Sequence, residues 1–452
     1  MARTPDRGRR SRPRQSTAAA TTIDPTPHLY RVEALGSSGD GIARRIDGDA
    51  SSSPVFIPYT APGDEVVAAF TDRNRARLAD VTVAAPERVK PPCALFGICG
   101  GCSLQHIDPA WILDWKKTET ASGFRKAGVT DLPPIQAFQT PPASRRRADL
   151  AVRRAHDGIV LGLHRRGGDV IDLTECHLLH PTIVALLPAL RLMLGRLDLL
   201  RREADLVINL LDTGPDLLLV SDREPSTADR TKLADFCRDH GIPRLAWNAK
   251  GAITAPETLV RLTTPAIVFG DVSIEPPPGA FLQATREGEA AIRDAMLAAL
   301  PSSPGRKAKI VELYAGCGTL TVPLATHARV EAFEGHPGAV AALAKATAGL
   351  RVSAHLRDLN RQPVEAKELA SAFAVVLDPP HAGAGLQMTQ ILDGKPETII
   401  YVSCNPRILF RDTALLLQAG YTVDAITVID QFLWSAETEI VCRFSRKQSR
   451  RR

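Results

Sequence analysis

Two residues that could carry covalent catalysis follow separate apolar stretches in the last third of the chain. Asp378 follows residues 374–377 and precedes two prolines, and Cys404 follows residues 399–403. A cysteine thiolate is nucleophilic near neutral pH, and a carboxylate beside it can orient a bound group. Because ligands bind at the carboxyl ends of parallel strands, we expect both side chains to face one crevice. The pair predicts a site where a thiol attacks a bound substrate.

A glycine loop follows an earlier apolar stretch. Gly316 and Gly318 come shortly after residues 309–314, and Thr319 follows them. Glycines let a ligand approach the backbone where a side chain would block it. Thr321 stands where a dinucleotide fingerprint has its third glycine. The loop therefore favours S-adenosylmethionine, which has no pyrophosphate needing that close packing.

Two acids extend the expected methyl-donor site. Glu334 ends the next predicted strand, where a carboxylate can accept hydrogen bonds from both ribose hydroxyls. Asp358 lies past the third strand, where it either contacts the adenine edge or caps a helix. With a methyl donor nearby, Cys404 can add to carbon 6 of uracil and make carbon 5 able to attack the methyl group. The rival reaction is methylation of an exocyclic amine, because enzymes of that kind also use an Asp-Pro-Pro motif such as residues 378–380. In that case Cys404 would have no role in the reaction.

Four of the eight cysteines have the spacing of metal ligands. Cys93, Cys99 and Cys102 lie in one glycine-containing segment, and Cys176 would supply a fourth thiol. This spacing lets one loop wrap three thiolates around a metal centre. It predicts a metal centre held by thiolates, for which a 4Fe-4S cluster is one candidate. The alternative is a structural zinc site, which usually has two separated Cys-x-x-Cys pairs.

The elements that position the reactive residues form an α/β domain at residues 276–445. Strands alternate with helical stretches there, which predicts a doubly wound, mainly parallel, Rossmann-like sheet. The predicted strands are residues 309–314, 330–334, 352–355, 374–377, 399–403, 422–428 and 440–444.

Two further regions precede this domain. Residues 25–88 predict a small OB-like β-barrel, because short strands are separated by Gly and Pro turns. Residues 89–275 predict a central α+β domain that contains the four cysteine ligands. Its basic strands hold arginines that either contact RNA or form a solvated face, namely Arg145, Arg146, Arg147, Arg153, Arg154, Arg165 and Arg166.

Positive charge is concentrated at the two ends of the chain. The net charge is +6, of which residues 1–22 carry +5 and residues 445–452 another +5, leaving −4 for the rest. We assign residues 1–24 and 446–452 as disordered basic tails that either hold phosphate backbones or aid solubility. No run reaches the roughly 18 to 20 apolar residues of a membrane span, and no secretory signal is present. We therefore expect a cytoplasmic protein.

The motifs together resemble one enzyme family. They are Phe281-Leu282-Gln283, the Gly316 loop, Glu334, Asp378-Pro379-Pro380 and Ser403-Cys404-Asn405-Pro406. From about residue 28 to residue 444 the chain is similar to RNA uracil-5-methyltransferases, in particular the iron–sulfur, TRAM-domain branch that includes 23S ribosomal RNA methyltransferases. The resemblance implies that Cys404 is the nucleophile and that residues 28–88 form a TRAM RNA-binding domain. It also implies that the methyl donor contacts Gln283, Tyr314, Glu334 and Asp378.

A last motif at residues 430–439 supplies a base by the same resemblance. Glu439 matches the group that removes the carbon-5 proton, while Asp430 and Glu437 are rival acids. Leu433-Trp434 stands where Pro-His is common, and Glu437 where a second His is common. We expect methylation of a uridine in RNA, with ribosomal RNA favoured over transfer RNA. A non-catalytic RNA-binding protein is the remaining rival, and the sequence identifies neither the RNA nor the uridine.

Overall fold

The computed structural model describes residues 26–48, 53–72, 74–165, 168–302, 305 and 307–446. The described chain divides into two compact units, one formed by residues 26–36 and Asp40–Pro86, the other by Ser37–Gly39 and the residues from Glu87 onward. Residues 1–24 and 447–452, which hold almost all of the predicted basic tails, lie outside the described residues, as does Arg166. In the described part, no helix is long and apolar enough to cross a membrane.

The first unit is a closed barrel, which confirms the barrel predicted for this part of the chain. Its five strands within the described residues are β1 (Pro27–Leu35), β2 (Gly41–Arg45), β3 (Val55–Ile57), β4 (Glu65–Asp72) and β5 (Arg75–Val83). They pair in the order β1-β2-β3-β5-β4, and β4 closes onto β1. Tyr30, Val32 and Val66 help fill the interior, because alternate side chains of a barrel strand point inward.

The second unit opens with helix α1 (Pro109–Lys126) and strand β6 (Ile135–Gln139). Asp108 caps α1 by accepting hydrogen bonds from two amides of the first turn, and a proline follows it. β6 pairs in parallel with a strand near the C-terminus. The sequence analysis placed this segment in the central domain 89–275, whereas the structure adds it to the C-terminal sheet. The correction concerns a short edge strand whose side chains are half-buried or exposed, so it has no apolar periodicity.

The central region contains a second sheet. Its strands and helices are β7 (Arg147–Ala155), β8 (Gly158–His164), β9 (Val170–Asp172), α2 (Pro181–Gly195), β10 (Glu203–Leu211), β11 (Gly214–Ser221), α3 (Thr227–His240), β12 (Arg244–Ala249) and β13 (Glu257–Arg261). The strand order is β13-β12-β11-β10-β7-β8-β9. Leucines of α2 and α3 pack on the sheet to form its core. A hairpin of β14 (Ile267–Phe269) and β15 (Val272–Ile274) leads on to the C-terminal sheet.

The C-terminal part alternates helices and strands, as the sequence predicts. Its elements are α4 (Arg286–Ala299), β16 (Lys309–Leu313), α5 (Thr321–His327), β17 (Arg329–Glu334), α6 (Pro337–Ala346), β18 (Val352–Leu356), α7 (Ala366–Ala370), β19 (Ala374–Leu377), α8 (Leu386–Gly394), β20 (Thr398–Ser403), α9 (Pro406–Gln418), β21 (Thr422–Asp430) and β22 (Glu439–Ser445). The strand order is β18-β17-β16-β19-β20-β22-β21-β6. Among these described strands, β22 alone runs antiparallel to its neighbours. β19 and β20 are buried throughout, which explains their continuous apolar sequences.

Candidate active site

Three reactive side chains lie where β19, β20 and β22 reach one edge of the sheet. Asp378 follows β19 and Cys404 follows β20, while Glu439 is the first residue of β22. Because β22 is antiparallel, its beginning lies at the same edge as the ends of its neighbours. Ser403 pairs with Ile440, so Cys404 and Glu439 stand opposite each other one step beyond that pair.

Two buried glutamines connect Asp378 to Glu439. Gln283 Nε2 donates to Asp378 Oδ2 at 3.2 Å, and Gln283 Oε1 accepts from Gln431 Nε2 at 2.8 Å. Gln431 Nε2 also donates to Glu439 Oε2 at 2.9 Å. Gln431 Oε1 accepts from the amide of Ala284 at 3.1 Å, which fixes the orientation of the Gln431 amide group. The four side chains therefore form one hydrogen-bonded chain that holds both carboxylates.

Both carboxylates have raised pKa values because they are buried. Burial raises the pKa of Asp378 to about 7, although the hydrogen bond from Gln283 acts against the rise. Burial also raises the pKa of Glu439 well above its usual range, and the charge of Asp378 adds to that effect. Glu439 Oε1 is buried without a hydrogen-bond partner among the described residues. A carboxylate oxygen without a hydrogen-bond partner, with a raised pKa and beside a thiol, has the arrangement expected of a general base.

Cys404 is half-buried and lies beside a histidine. Burial raises the pKa of its thiol to about 12, and the negative charges of Glu439 and Asp378 contribute to the increase. Cys404 Sγ is 3.9 Å from His381 Nδ1. The next residue, Asn405, caps α9 by accepting from the amide of Ile408 at 3.4 Å. The sequence analysis did not assign a role to His381.

Both glycines of the loop after β16 have a left-handed backbone conformation. Gly316 and Gly318 have φ values of 56° and 101°, and Tyr314 has a φ of 65°. A side chain at Gly318 would come within 2.5 Å of a Leu343 methyl carbon, so only glycine fits there. Thr319 follows the loop as a half-buried residue.

The loop is tied to Glu334. The Gly316 amide donates to Glu334 Oε2 at 2.9 Å, and the His336 amide donates to Glu334 Oε1 at 2.7 Å. Tyr314 donates its hydroxyl hydrogen to the Ala384 carbonyl at 3.0 Å. Glu334 and Tyr314 are thereby held at the same sheet edge as Asp378, because β17, β16 and β19 are adjacent parallel strands.

Asp358 lies close to this group but on the surface. It is exposed, its backbone lies near Gly335, and its Oδ1 accepts from the amide of Asn360 at 3.0 Å. The side chain therefore caps a turn, with no helix beginning there. Glu312 was missed by the sequence analysis, although an acid inside an apolar strand is a signal. It is buried on β16, and burial raises its pKa to about 8.

Two buried cations hold the segments that carry the network. Arg146 Nε donates to the Gln283 carbonyl at 3.1 Å, and its guanidinium also pairs with Glu289 at 2.5 Å. Lys116 on α1 pairs with Asp430 at 2.7 Å and donates to the Glu437 carbonyl at 2.6 Å. Charges this deeply buried are retained where they are paired. Both cations therefore position the two segments that supply the glutamines.

Several arginines of the basic grouping in the central region have partners within the protein, although of those described only Arg146 is buried. Arg146 is buried as described, Arg147 pairs with Asp149, and Arg153 pairs with Asp169. Arg154 donates to the carbonyls of residues 195, 197 and 200. The prediction that this grouping either contacts RNA or is a solvated face is wrong for Arg146, because its guanidinium is buried and holds the backbone beside Gln283.

The four predicted metal ligands line one cavity of about 190 Å³, namely Cys93, Cys99, Cys102 and Cys176. Backbone amides donate to two of the sulfurs at 3.4 Å, those of Cys99 and Cys176. Burial raises the pKa of Cys102 to about 12, and the other three thiols contribute to the increase. In the described part of the chain, no three His, Cys, Asp or Glu side chains are arranged to hold a metal ion.

A cavity of about 400 Å³ lies beside the hydrogen-bonded chain that joins Asp378 to Glu439, and Gln431 lines it. One wall is the cysteine loop, through Gly101 and Ser103, and another is the segment after β21, through Gln431, Leu433 and Glu437. Gln431 therefore belongs both to the cavity and to the hydrogen-bonded chain that reaches Glu439.

Known proteins share the sequence and the fold. A family model described as tRNA (uracil-5-)-methyltransferase matches residues 279–447. An RNA methyltransferase of Mesorhizobium japonicum is 35% identical over 427 residues, covering 93% of this chain and 99% of that protein. The 23S rRNA (uracil(1939)-C(5))-methyltransferase RlmD of Chromohalobacter salexigens is 32% identical over 471 residues, covering 100% of this chain and 96% of that protein.

A solved structure has the same fold at lower identity. The Pyrococcus abyssi tRNA (uracil-54, C5)-methyltransferase, in complex with S-adenosyl-L-homocysteine, gives a TM-score of 0.69 at 20% identity and covers 93% of this chain and 100% of that chain. The similarity over nearly the whole chain to relatives at 32% and 35% identity, together with the family match over the sheet that carries Cys404 and Glu439, decides the assignment. This chain belongs to the RNA uracil-5-methyltransferase family.

Proposed function

We propose that this enzyme transfers a methyl group from S-adenosylmethionine to carbon 5 of a uridine in RNA through a covalent bond between Cys404 and carbon 6. The observation that carries the proposal is the placement of Cys404 opposite Glu439, with Asp378 linked to Glu439 through two glutamines. The reaction needs a nucleophile and a proton acceptor that both act on one uracil ring. Cys404 and Glu439 would supply these two groups from adjacent strands.

The bond changes can be assigned to side chains. The Cys404 thiolate adds to carbon 6, and the electrons of the carbon 5–carbon 6 double bond move toward oxygen 4. Those electrons return through carbon 5, which bonds to the methyl group, while the sulfur–methyl bond breaks and its electron pair stays on the donor sulfur as a neutral thioether. Glu439 Oε1, which has no hydrogen-bond partner in the described residues, accepts the carbon-5 proton. The carbon–sulfur bond breaks, and its electron pair returns to sulfur.

The residues around the Gly316 loop fit the methyl donor. S-adenosylmethionine supplies an electrophilic methyl group on a positively charged sulfur. The open backbone at Gly316 and Gly318 admits a ligand, and the Glu334 carboxylate can accept from ribose hydroxyls. Asp378 and Gln283 stand between this loop and Cys404, where a carboxylate favours the positive sulfur.

A covalent adduct tests the mechanism. A base must leave the RNA stack to reach Cys404, so the substrate uridine is single-stranded or flipped. With 5-fluorouridine at the target, elimination stalls and a protein–RNA adduct is expected on a denaturing gel. Cys404→Ala should give neither adduct nor 5-methyluridine, and full methylation by that variant would exclude the covalent step.

The identity of the base is tested separately. Glu439→Gln should accumulate a methylated covalent complex on ordinary RNA, because the carbon-5 proton remains. Glu437→Gln is the matched control, since Glu437 is a nearby but exposed acid. Asp430 is a poor rival because it is buried in its ion pair with Lys116. Normal turnover by Glu439→Gln, with the trapped complex appearing in Glu437→Gln, would reverse the assignment.

We also propose that Cys93, Cys99, Cys102 and Cys176 hold a 4Fe-4S cluster. The proposal is supported by four free thiols that line one cavity. Burial and the charges of the other three sulfurs raise the pKa of Cys102, and bound iron would relieve that repulsion. Anaerobically purified protein should contain roughly four irons with sulfide, and Cys176→Ser should lose them. Cys237→Ser is the control, because Cys237 is buried on α3 in the core of the central sheet. Zinc without sulfide would favour a structural zinc site instead.

The relatives also suggest which class of RNA this enzyme methylates. We favour ribosomal RNA, because the Chromohalobacter salexigens relative is named a 23S rRNA methyltransferase and matches the whole chain. We assign RNA binding to the β1–β5 barrel, since barrels of this type commonly bind nucleic acid. Mapping 5-methyluridine in ribosomal and transfer RNA from a deletion strain tests the class, and a loss confined to transfer RNA would overturn the preference.

A further inference from the structure

His381 lies against the thiol of Cys404 and has no role in the reaction described above. It follows the two prolines after Asp378 and is exposed. Its Nδ1 is 3.9 Å from Cys404 Sγ, within hydrogen-bonding range for sulfur. An imidazole beside a cysteine is a common means of making the sulfur nucleophilic.

The neighbouring Asn405 determines which nitrogen of His381 carries the proton. Asn405 Nδ2 donates to the His381 carbonyl at 2.9 Å, and a carbonyl only accepts, so this end of the amide is the NH₂ group. The same group lies 3.3 Å from His381 Nε2, which must then accept. In the neutral ring the proton is therefore on Nδ1, facing the sulfur of Cys404.

Burial and the nearby carboxylates disfavour the ionised form of Cys404, whereas its own backbone amide favours that form. Burial raises the pKa of the thiol, and so do the carboxylates that face it, which are Glu439 on β22, Asp378 after β19 and Glu437 in the segment before β22. The arginines of α9 are engaged elsewhere, Arg407 with the Ser37 hydroxyl and Arg411 with Asp412. Against these effects, His381 is a side chain within hydrogen-bonding range of the sulfur, at 3.9 Å.

We propose that His381 is a further catalytic residue, whose Nδ1–H donates a hydrogen bond to the Cys404 thiolate. The inference rests on the proposed covalent mechanism. The thiol proton leaves to water before the uracil enters, and the thiolate then adds to carbon 6. When the carbon–sulfur bond later breaks, its electron pair returns to sulfur and the thiolate is regenerated. His381 thus stabilises the sulfur in both steps without changing its own protonation.

Alkylation of the RNA-free protein measures the thiolate directly. Iodoacetamide labelling of the peptide that contains Cys404 is followed across pH by mass spectrometry, which separates it from the other cysteines. A hydrogen bond to a charged sulfur is strong, so His381→Leu should slow labelling at neutral pH about tenfold and raise the midpoint by about one pH unit. His381→Gln retains an N–H donor and should recover part of the rate.

A charge variant and a folding check complete the experiment. Glu437→Gln removes a nearby negative charge but no bond to sulfur, so its midpoint should move to lower pH. Because His381 is exposed, the variants are expected to retain the wild-type thermal transition, which is measured alongside. Equal labelling profiles for wild type, His381→Leu and His381→Gln would overturn the proposal. The readout uses no RNA, so retained methylation by Cys404→Ala would refute the covalent mechanism independently of these profiles.

Discussion

Replacing Gln431 with leucine removes the hydrogen bond that supports Glu439. Gln431 Nε2 donates to Glu439 Oε2 at 2.9 Å, and the other carboxylate oxygen has no partner among the described residues. This bond lowers the pKa of Glu439, while burial and the charge of Asp378 raise it. Its loss should raise that pKa further and leave more of Glu439 protonated, unable to accept the carbon-5 proton.

The size of the effect follows from the strength of the bond. A hydrogen bond to a charged acceptor contributes about 1.5–3 kcal/mol, and each pH unit corresponds to about 1.4 kcal/mol. The pKa of Glu439 should therefore rise by about 1 to 2 units. In the proposed mechanism the base acts when ionised, so the rate is expected to increase with pH through this pKa. The acid limb of the pH–rate profile should move to higher pH by the same amount.

The assay is single-turnover formation of 5-methyluridine in RNA across a series of pH values. Gln387→Leu is a matched control, because Gln387 is fully buried and bridges the amide and carbonyl of Val364 at 2.7 and 3.1 Å. Both variants lose buried hydrogen bonds and some stability. An acid limb that stays in place for Gln431→Leu, or that moves equally in both variants, would refute the reasoning.

Further substitutions test the supports of the site. Lys116→Met should reduce the free energy of unfolding by about 3–5 kcal/mol in a urea titration, because Asp430 keeps a buried charge, and adding Asp430→Leu should restore most of the loss. Wild-type stability should fall as pH rises from about 4 to 7, since the folded-state pKa of Asp378 lies near 7 against the usual 3.8. In thermal melts across this pH range, Asp378→Asn should remove up to about 4 kcal/mol of the decline in stability. If stability fell with pH equally in wild type and in Asp378→Asn, the raised pKa of Asp378 would be wrong. Gly318→Ala should weaken calorimetric binding of S-adenosylmethionine because an added Cβ meets a leucine, whereas Gly349→Ala, at φ 92° in open space, measures backbone strain alone.

The C-terminal sheet and the residues at the ends of its strands were predictable because buried parallel strands have continuous apolar sequences. β19 and β20 are buried apolar strands followed at once by Asp378 and Cys404, and Gly316 follows β16 three residues after its end, so the sequence shows both the strands and their ends. The same rule located Asp378 and Cys404. Glu439 needed the family resemblance, because a base at the start of an antiparallel strand has no pattern of its own.

Contacts between distant segments were not predictable from local pattern. Gln283 and Gln431 are far apart in the chain, and their hydrogen bond depends on how α4 and β21 pack. Lys116 looked like an ordinary helix lysine, yet it is buried against Asp430. β6 was missed because its pairing with β21, rather than its composition, makes it a strand.

The antiparallel orientation of β22 places Cys404 and Glu439 opposite each other through the backbone alone. The Ser403–Ile440 pair sets Cys404 and Glu439 opposite each other through main-chain hydrogen bonds, and slipping by one residue would turn Glu439 to the other face of the sheet. Residues 432–438 lie outside the paired part of β22, so changes in their side chains leave the main-chain pairing of β20 with β22 in place. The distance between Cys404 and Glu439 therefore depends on the backbone ladder rather than on the side chains of that segment.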